Sequence, residues 1–233
     1  MAHKRHGIRA NLVANREQQP RYKQRAANEA FGIYRPLAEE SAEQVWDALA
    51  DARRDVSRFF SRTRGTSAEL VIPAEIGATF VMRVKVRRAM KHGLLQRGFD
   101  LNRTLAVIEE YKENNDSELE VPLSETDWFD QGERKLVYKF EEATKATHQL
   151  AKQSNDIGEI LESCKAGELK VYQPDHVTLF KYGRRRDGRD LSREHKNIVG
   201  EIVEERFADA NIGAIVLAGL VPGDSYSQPR LAA

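Results

Sequence analysis

Residues whose types could support catalysis are few and isolated in this sequence. The chain has six histidines and one cysteine, and the histidines lack the His-Glu-x-x-His spacing that would hold a catalytic zinc ion. Cys164 falls on the apolar stripe of a predicted helix, which is typical of a buried structural thiol rather than of a nucleophile. The sequence therefore predicts no metal ion, no cofactor and no thiol chemistry.

The segment from Gly183 to Gly188 has the span that opens a phosphate-binding P-loop. A P-loop continues with Lys and then Ser or Thr, which bind phosphate and magnesium. Arg189-Asp190 occupies those two positions here. The motif is therefore excluded, and the segment is predicted to be an exposed loop.

Two neighbouring segments, Glu168-Leu169-Lys170 and Pro174-Asp175, resemble the metal-binding elements of a common nuclease fold. They occur in the reverse order and only a few residues apart, so a nuclease site of that kind is not expected. His176 follows in a predicted hairpin turn, where we expect it to be solvated. Since no catalytic constellation is recognisable, the chain is predicted not to be an enzyme.

The distribution of charge is more informative than these motifs. Over 233 residues, 37 Lys and Arg nearly balance 36 Asp and Glu, for a net charge of +1. The local sums differ widely, because residues 1–30 carry +5, residues 83–103 carry +6 and residues 104–142 carry −8. Such separated charges favour ordered contact with charged partners.

Two basic segments, the N-terminal arm and the loop after residue 182, are predicted to contact nucleic acid. Clustered Lys and Arg neutralise phosphates and release counterions without reading the base sequence. The candidate residues are Lys4, Arg5, Arg9, Arg16, Arg21, Lys23, Arg25, Arg184, Arg185, Arg186 and Arg189. The alternative is that these groups pair with the acidic segment of a neighbouring subunit.

Hydrophobic periodicity predicts the elements that would carry these charges. Apolar residues recur at helical spacing from Ser41 to about residue 64 and predict a first helix. Asp100 is the expected N-cap of a second helix, which ends near residue 114. A third helix is expected to start near Asp190 or Ser192, and residues 69–72 are a short strand candidate.

The segment 79–88 is ambiguous between helix and strand. Apolar and basic residues alternate there as in a strand. Pro73 and Gly93 suit the two ends of a helix, however, and helix is the favoured prediction.

The longest predicted element is a helix over about 125–164. Its apolar stripe has an average period of about 3.5 residues, and forty residues would extend for about 60 Å, which is long for a compact domain of this size. Packing in a bundle or an oligomeric ring is therefore expected. The predicted oligomer interface consists of Leu136, Phe140, Leu150, Ile157 and Leu161.

The predicted fold class is α+β and predominantly helical, a helical bundle with one long helix and a small C-terminal β-hairpin or sheet. The hairpin would pair residues 169–172 with 177–182, and the apolar run Ile212–Val221 would add a strand. The corresponding domains are a flexible basic arm (1–35), a helical domain (36–166), a small α+β region (167–221) and a flexible tail (222–233).

These features lead us to expect a non-enzymatic structural subunit of a large homo-oligomeric assembly close to nucleic acid. A virion subunit, or a phage head, connector, capsid or nucleocapsid protein, would fit the basic arm and the long helix. Other assembly subunits and nonspecific nucleic acid are the expected partners. The longest apolar run has ten positions, too few to span a membrane, so a cytoplasmic or intracellular location, or the virion, is expected.

The competing prediction is a sequence-specific DNA-binding regulator. The order of a strand at Ala68–Pro73 followed by two predicted helices resembles ribbon-helix-helix repressors over residues 67–113. The resemblance implies a dimer in which Ser67, Glu69 and Val71 would face the major groove. A third alternative is an adaptor protein without a nucleic acid role.

Overall fold

The computed structural model describes residues 30–62, 70–73, 76–129, 134–182 and 191–222. These residues form an α+β fold in which two antiparallel sheets are flanked by helices. The strands are β1 (Ala30–Pro36), β2 (Leu70–Val71), β3 (Gly77–Lys85), β4 (Leu119–Phe129), β5 (Lys135–Phe140), β6 (His176–Tyr182), β7 (Ala214–Leu217) and β8 (Val221–Pro222). The helices are α1 (Glu39–Arg62), α2 (Val86–Lys91), α3 (Leu101–Glu113), α4 (Lys145–Ser163) and α5 (Arg193–Asp209).

The two sheets have three and five strands. The smaller sheet has the order β3-β1-β8, and the larger has the order β2-β6-β5-β4-β7. The sheets meet at the end of β1, where Leu37 makes an isolated antiparallel bridge to Leu217 of β7. The larger sheet combines strands from both sides of the boundary expected at residue 167.

Local signals in the sequence account for three of the helices. Helix α1 buries one face that includes Val45, Leu49 and Val56, as its periodicity predicts. Asp100 caps α3 by accepting hydrogen bonds from the backbone nitrogens of the second and third helical residues, and Ser192 caps α5 by accepting one from the backbone nitrogen of His195. These three predicted helices are confirmed.

The predicted long helix over 125–164 is wrong, and with it the predominantly helical bundle. Residues 119–129 and 135–140 are adjacent antiparallel strands, and α4 covers only the last part of the expected element. Thr144 begins α4 with a capping box to Thr147, directly after Ala143 with a φ of 57°. Strand β5 is buried on both faces, so most of its residues are apolar and fit a helical repeat as well as a strand repeat. The helical spacing of apolar residues in α4 therefore extended back through β5 in the sequence.

Two further expectations about strands also need correction. Residues 79–85 of the segment 79–88 belong to strand β3 and only its last three residues begin α2, so the helix favoured there is wrong over most of the segment. The strand expected at Ala68–Pro73 is therefore followed by another strand, not by the first helix of a ribbon-helix-helix protein. The expected C-terminal hairpin does not form, because β6 pairs with β5 and β2. Val171, in the other half of the expected hairpin, instead bridges to Val81 of β3.

A buried arginine joins the segments that hold the two sheets together. Arg35, on β1, has a relative exposure of 0%. Its Nη atoms donate to the carbonyl oxygens of Asn115, Ser117 and Ala218 at 2.9–3.0 Å, and its Nε atom donates to Oε1 of Gln153 at 3.0 Å. Every guanidinium nitrogen therefore has an acceptor, which offsets the cost of burying the charge.

Burial lowers the pKa of Arg35, and the nearby side chains of Tyr111 and Asp116 act in the opposite direction. Tyr111 itself donates a hydrogen bond to Asp156 of α4 at 2.9 Å. Burial, followed by this hydrogen bond, raises the pKa of the Tyr111 hydroxyl well above its usual range. The polar groups around Arg35 thus link β1, α3 and α4.

Among the helices that the structure describes, none is long and apolar enough to cross a membrane.

Replacing Arg35 with Met should destabilise the protein. Met has a similar length but no donors, so three carbonyl oxygens and the Gln153 amide oxygen lose their partner inside the fold. We expect the free energy of unfolding in urea to fall by about 3 kcal/mol or more. The control is Arg54→Met on the exposed face of α1, which should change it by less than about 0.5 kcal/mol. Equal effects of the two variants would contradict this role of Arg35.

Candidate functional site

An open cleft of about 340 Å³ lies where strand β3 of the smaller sheet faces strand β6 of the larger one. Its walls combine hydroxyl, imidazole, carboxylate, ammonium and aromatic groups. The lining residues are Gly77, Thr79, Met82, Phe129, Lys135, Lys170, Tyr172, Gln173, Pro174, Asp175, His176 and Thr178.

The two strands that face each other across the cleft have the same local design. Residues 77–82 of β3 and residues 176–181 of β6 show the same order of half-buried, buried and exposed positions. In each strand the register shifts directly after a threonine, Thr79 in β3 and Thr178 in β6. Such a shift, a β-bulge, redirects the side chains around it. The cleft therefore receives one threonine from each sheet.

The alternation of side chains along a strand places His176 and Thr178 on the same face of β6. Residues two apart in a strand lie on the same face, and Val177 between them is buried in the core. In β3 the corresponding positions are Gly77 and Thr79, with Ala78 buried between them. Among the described residues that line the cleft, His176 is the one imidazole.

A carboxylate adjoins this imidazole. The Nδ1 atom of His176 lies 2.5 Å from Oδ1 of Asp175, and the two side chains are 27% and 74% exposed. The hydrogen bond to His176 lowers the pKa of Asp175, although burial acts in the opposite direction. An ionised Asp175 accepts a hydrogen bond from Nδ1, which leaves Nε2 of His176 as the ring atom that can exchange a proton with a ligand.

Residues 169–175 form the remaining wall and are held by backbone contacts. The amide of Tyr172 donates to the carbonyl oxygen of Phe80 on β3 at 2.8 Å, and Ser154 of α4 donates to the carbonyl of Tyr172 at 2.9 Å. The Lys170 ammonium lies 4.7 Å from the centre of the Tyr172 ring, a cation–π contact. The wall therefore presents a positive charge and an aromatic face at fixed positions.

Strands β4 and β5 complete the mouth of the cleft. Phe129, 41% exposed, packs its ring against His176 with 4.7 Å between the ring centres. Lys135, at the start of β5, contributes a second ammonium group to the lining. Aromatic and cationic groups thus surround the imidazole.

Gly77 is required by the close approach of β1. A Cβ atom at this position would lie 2.2 Å from the carbonyl oxygen of Arg35, a distance that real side chains do not reach. The position equivalent to His176 therefore cannot carry a side chain without separating β3 from β1. The two halves of the cleft are alike in backbone design but differ in chemistry.

The donor set is suited to an anion rather than to a metal ion. In the described part of the chain, no three His, Cys, Asp or Glu residues are grouped so as to hold a metal ion. Hydroxyl and ammonium groups donate hydrogen bonds to phosphate oxygens, and an imidazole exchanges protons near neutral pH. The arrangement can bind a phosphate ester and move a proton at its ester oxygen.

The predicted site residues lie elsewhere. All the predicted nucleic-acid contacts fall in residues 1–29 and 183–190, outside the described residues. The predicted interface residues Leu136, Phe140, Leu150, Ile157 and Leu161 are buried in the core of the chain itself. Leu136 and Phe140 are on β5 and the other three are on α4, so they do not form one helical stripe.

The sequence drew attention to Lys170, Asp175 and His176 but predicted no site there, and His176 begins β6 as a half-buried residue instead of lying solvated in a hairpin turn. One signal of the site was present. His176 follows Asp175 and precedes Thr178 by two, and a strand brings residues at that spacing to one face. The segment 77–81 has the same pattern of a threonine followed by two apolar residues. Assigning residues 79–88 to a helix hid this similarity.

Comparisons with known proteins identify the fold. No family model matches the sequence, and no curated protein matches it either. A structure of Usb1 from Kluyveromyces marxianus is similar with a TM-score of 0.51 at 12% identity, covering 87% of this chain and 96% of that one. A structure of the same protein with uridine monophosphate gives a TM-score of 0.48 at 13% identity, covering 84% and 98%. The chain therefore shares the fold of Usb1.

The expected non-enzymatic structural subunit of a virion or phage assembly is contradicted. A solved structure that shares the fold is of Usb1, which is not a capsid or connector protein. The helical bundle on which that expectation depended is absent as well. The prediction that the chain is not an enzyme is also contradicted, since the chain shares the fold of Usb1 and the cleft pairs an imidazole with a carboxylate.

Changing Gly77 to Ala should reduce stability and alter the cleft. The new Cβ atom must push β3 away from the Arg35 carbonyl, and we expect a loss of about 1 to 3 kcal/mol in the free energy of unfolding. Gly158→Ala on α4 is the control, since a Cβ there meets nothing within 4 Å, and it should raise stability by about 0.5 to 1 kcal/mol. Urea denaturation of both variants measures the difference. A Gly77 variant as stable as the unmodified protein would refute the close approach.

Proposed function

We propose that this protein is a phosphoesterase that binds a phosphate ester of a nucleotide or an oligonucleotide in the cleft. The observation that carries the proposal is the convergence of His176 and its partner Asp175 with threonines from two sheets and with lysine side chains. The two threonines can donate to phosphate oxygens, and the ammonium groups balance the phosphate charge.

The aromatic groups favour a nucleotide over a simpler ester. Phe129 is exposed at the mouth of the cleft and Tyr172 lines its wall. Nucleobases stack on such side chains, and each stacked base contributes about 1 to 3 kcal/mol. A nucleotide can thus place its base against an aromatic ring while its phosphate reaches the hydroxyl and ammonium groups.

His176 supplies the proton transfer in this proposal. Hydrolysis of a phosphodiester forms a bond from water to phosphorus, breaks the bond to the leaving oxygen, and moves a proton from water to that oxygen. The Nε2 atom of His176 takes part in this transfer, while Asp175 holds the ring through Nδ1. The second strand of the cleft contributes Thr79 but no imidazole, because Gly77 occupies the corresponding position.

This proposal includes nucleic acid as a partner, bound in the cleft and not only at the N-terminal arm and the loop 183–190. Homo-oligomerisation and contacts of the N-terminal arm and of the loop 183–190 with phosphate remain predictions from the sequence.

The first test replaces His176 with Gln. Cleavage of a short single-stranded oligouridylate is followed by mass spectrometry, and binding of uridine monophosphate is measured by calorimetry. We expect the cleavage rate to fall by about 100-fold or more, with little change in nucleotide affinity. His148→Gln is the matched control, because His148 is exposed on α4 and does not line the cleft. Unchanged cleavage by the His176 variant would rule out the proposed role.

The second test replaces Asp175 with Asn and measures rate against pH. The hydrogen bond from His176 lowers the pKa of Asp175, so the carboxylate is negative at neutral pH and accepts from Nδ1 of the ring. Removing this charge should lower the rate by about tenfold or more. Because its pKa is lowered, Asp175 stays ionised into the acidic range, so the unmodified protein should lose this contribution only as the pH falls through that pKa, and the Asn variant should show no such loss. An Asn variant as active as the unmodified protein at neutral pH would contradict the pairing.

A further inference from the structure

A basic surface leads away from the cleft along the strand that forms one of its walls. Strand β3 begins in the cleft with Gly77 and Thr79 and ends at Lys85, where α2 follows directly. At about 3.3 Å per residue, the six steps from Thr79 to Lys85 span about 20 Å. We call the exposed cations at its far end, Lys85, Arg87, Arg88 and Lys91, the basic ramp.

The orientation of α2 explains why these cations face the solvent. Val86 and Ala89 are buried, with relative exposures of 6% and 2%, and they lie three apart on one face of the helix. The basic positions of the helix, Arg87, Arg88 and Lys91, are exposed. The short helix is therefore anchored by its small apolar face and presents its charges outward.

The ramp has no acidic residues near it in sequence. Between residues 76 and 99 the chain contains no Asp or Glu. Within the described ranges, none of the four ramp residues makes an ion pair with a carboxylate. This contrasts with α1, where Arg54 and Arg58 each pair with an aspartate three residues earlier. The ramp charges are thus available to an external polyanion.

The continuity of ramp and cleft indicates which polyanion fits. Met82, 45% exposed, lines the cleft and is followed along the same strand by the ramp. A chain of phosphates whose one end occupies the cleft would pass over Met82 and reach the ramp cations. Single-stranded nucleic acid has this form, since it combines a flexible row of phosphates with bases that contact apolar and aromatic groups.

We propose that the basic ramp binds the phosphate backbone of a single-stranded oligonucleotide whose end lies in the cleft, so that the substrate is a polynucleotide rather than a mononucleotide. This inference rests on the proposed function for the position of the strand end. The ramp adds affinity through phosphate charge alone, so its contribution depends on ligand length and on salt but not on base sequence.

The test uses a triple variant, Arg87→Gln, Arg88→Gln and Lys91→Gln, in the full chain. Its affinity for an oligouridylate of about twelve nucleotides should fall about tenfold or more at low salt, while its affinity for uridine monophosphate stays unchanged. The magnitude of the slope of log affinity against log salt concentration should decrease by about 2, because each lost contact with a phosphate of a single strand removes about 0.7 and the variant loses three. Thermal melting checks that the variant remains folded.

The control removes three positive charges from another helix. Arg53→Gln, Arg54→Gln and Arg58→Gln lie on the exposed face of α1, and this variant should retain its oligonucleotide affinity within about twofold. Equal losses in the two triple variants would overturn the ramp, since they would show a general charge effect. Equal affinities of the unmodified protein for the mononucleotide and the oligonucleotide would overturn it as well.

Two further outcomes concern the choice of ligand and the chemistry of the cleft. Ramp-dependent binding to vesicles rich in phosphatidylserine that exceeds binding to the oligonucleotide would overturn single-stranded nucleic acid as the ligand. If His176→Gln retains full cleavage activity while the ramp variant loses oligonucleotide affinity, the proposed catalytic role of His176 is wrong and binding of the oligonucleotide by the basic ramp is supported. The two proposals can therefore fail independently.

Discussion

The arrangement of both sheets depends on the burial of one arginine. Arg35 lies in the central strand of the smaller sheet and is inaccessible to solvent. Its guanidinium group binds backbone carbonyls before β4 and between β7 and β8, together with Gln153 of α4. A buried cation tolerates few arrangements of its acceptors, because each unmet donor is costly. The requirement to satisfy these donors fixes the segments that join the sheets.

The same residue also borders the cleft through its backbone. The carbonyl oxygen of Arg35 lies so close to Gly77 that no side chain fits there. The side chain of Arg35 therefore orients the larger sheet, while its backbone fixes the strand that faces His176. This coupling accounts for the asymmetry of the cleft, which has a threonine from each sheet but an imidazole from only one. Structure and chemistry at the site follow from one close contact between β1 and β3.

The parts of the fold that the sequence predicts are those with local causes. The helix over residues 101–113 depends on Asp100, whose side chain caps the helix through its own neighbours, and Ser192 acts similarly for α5. Strand β5 could not be predicted in this way, because both its faces are buried and the groups that cover it include Phe207 of α5, which packs on Tyr138 but is distant in the sequence. Its apolar residues match a helical period as well as a strand period.

The candidate site was harder to predict for a related reason. His176 and Thr178 share a strand face, but their partners Thr79 and Lys135 come from strands that only the tertiary fold brings together. The spacing of His176 and Thr178 alone is too common to indicate a site. The basic segment 83–103 was visible from composition, whereas its connection to a cleft required the knowledge that residues 77–85 form a strand.

The central claim is that His176 lies at a site for phosphate esters. Its most direct test is the NMR spectrum of the histidine imidazoles during titration with a nucleoside monophosphate. The account predicts that the His176 ring signals shift and saturate with the ligand, while those of His148, exposed on α4, stay in place. Unmoved His176 signals, or equal movement of both rings, would contradict the account.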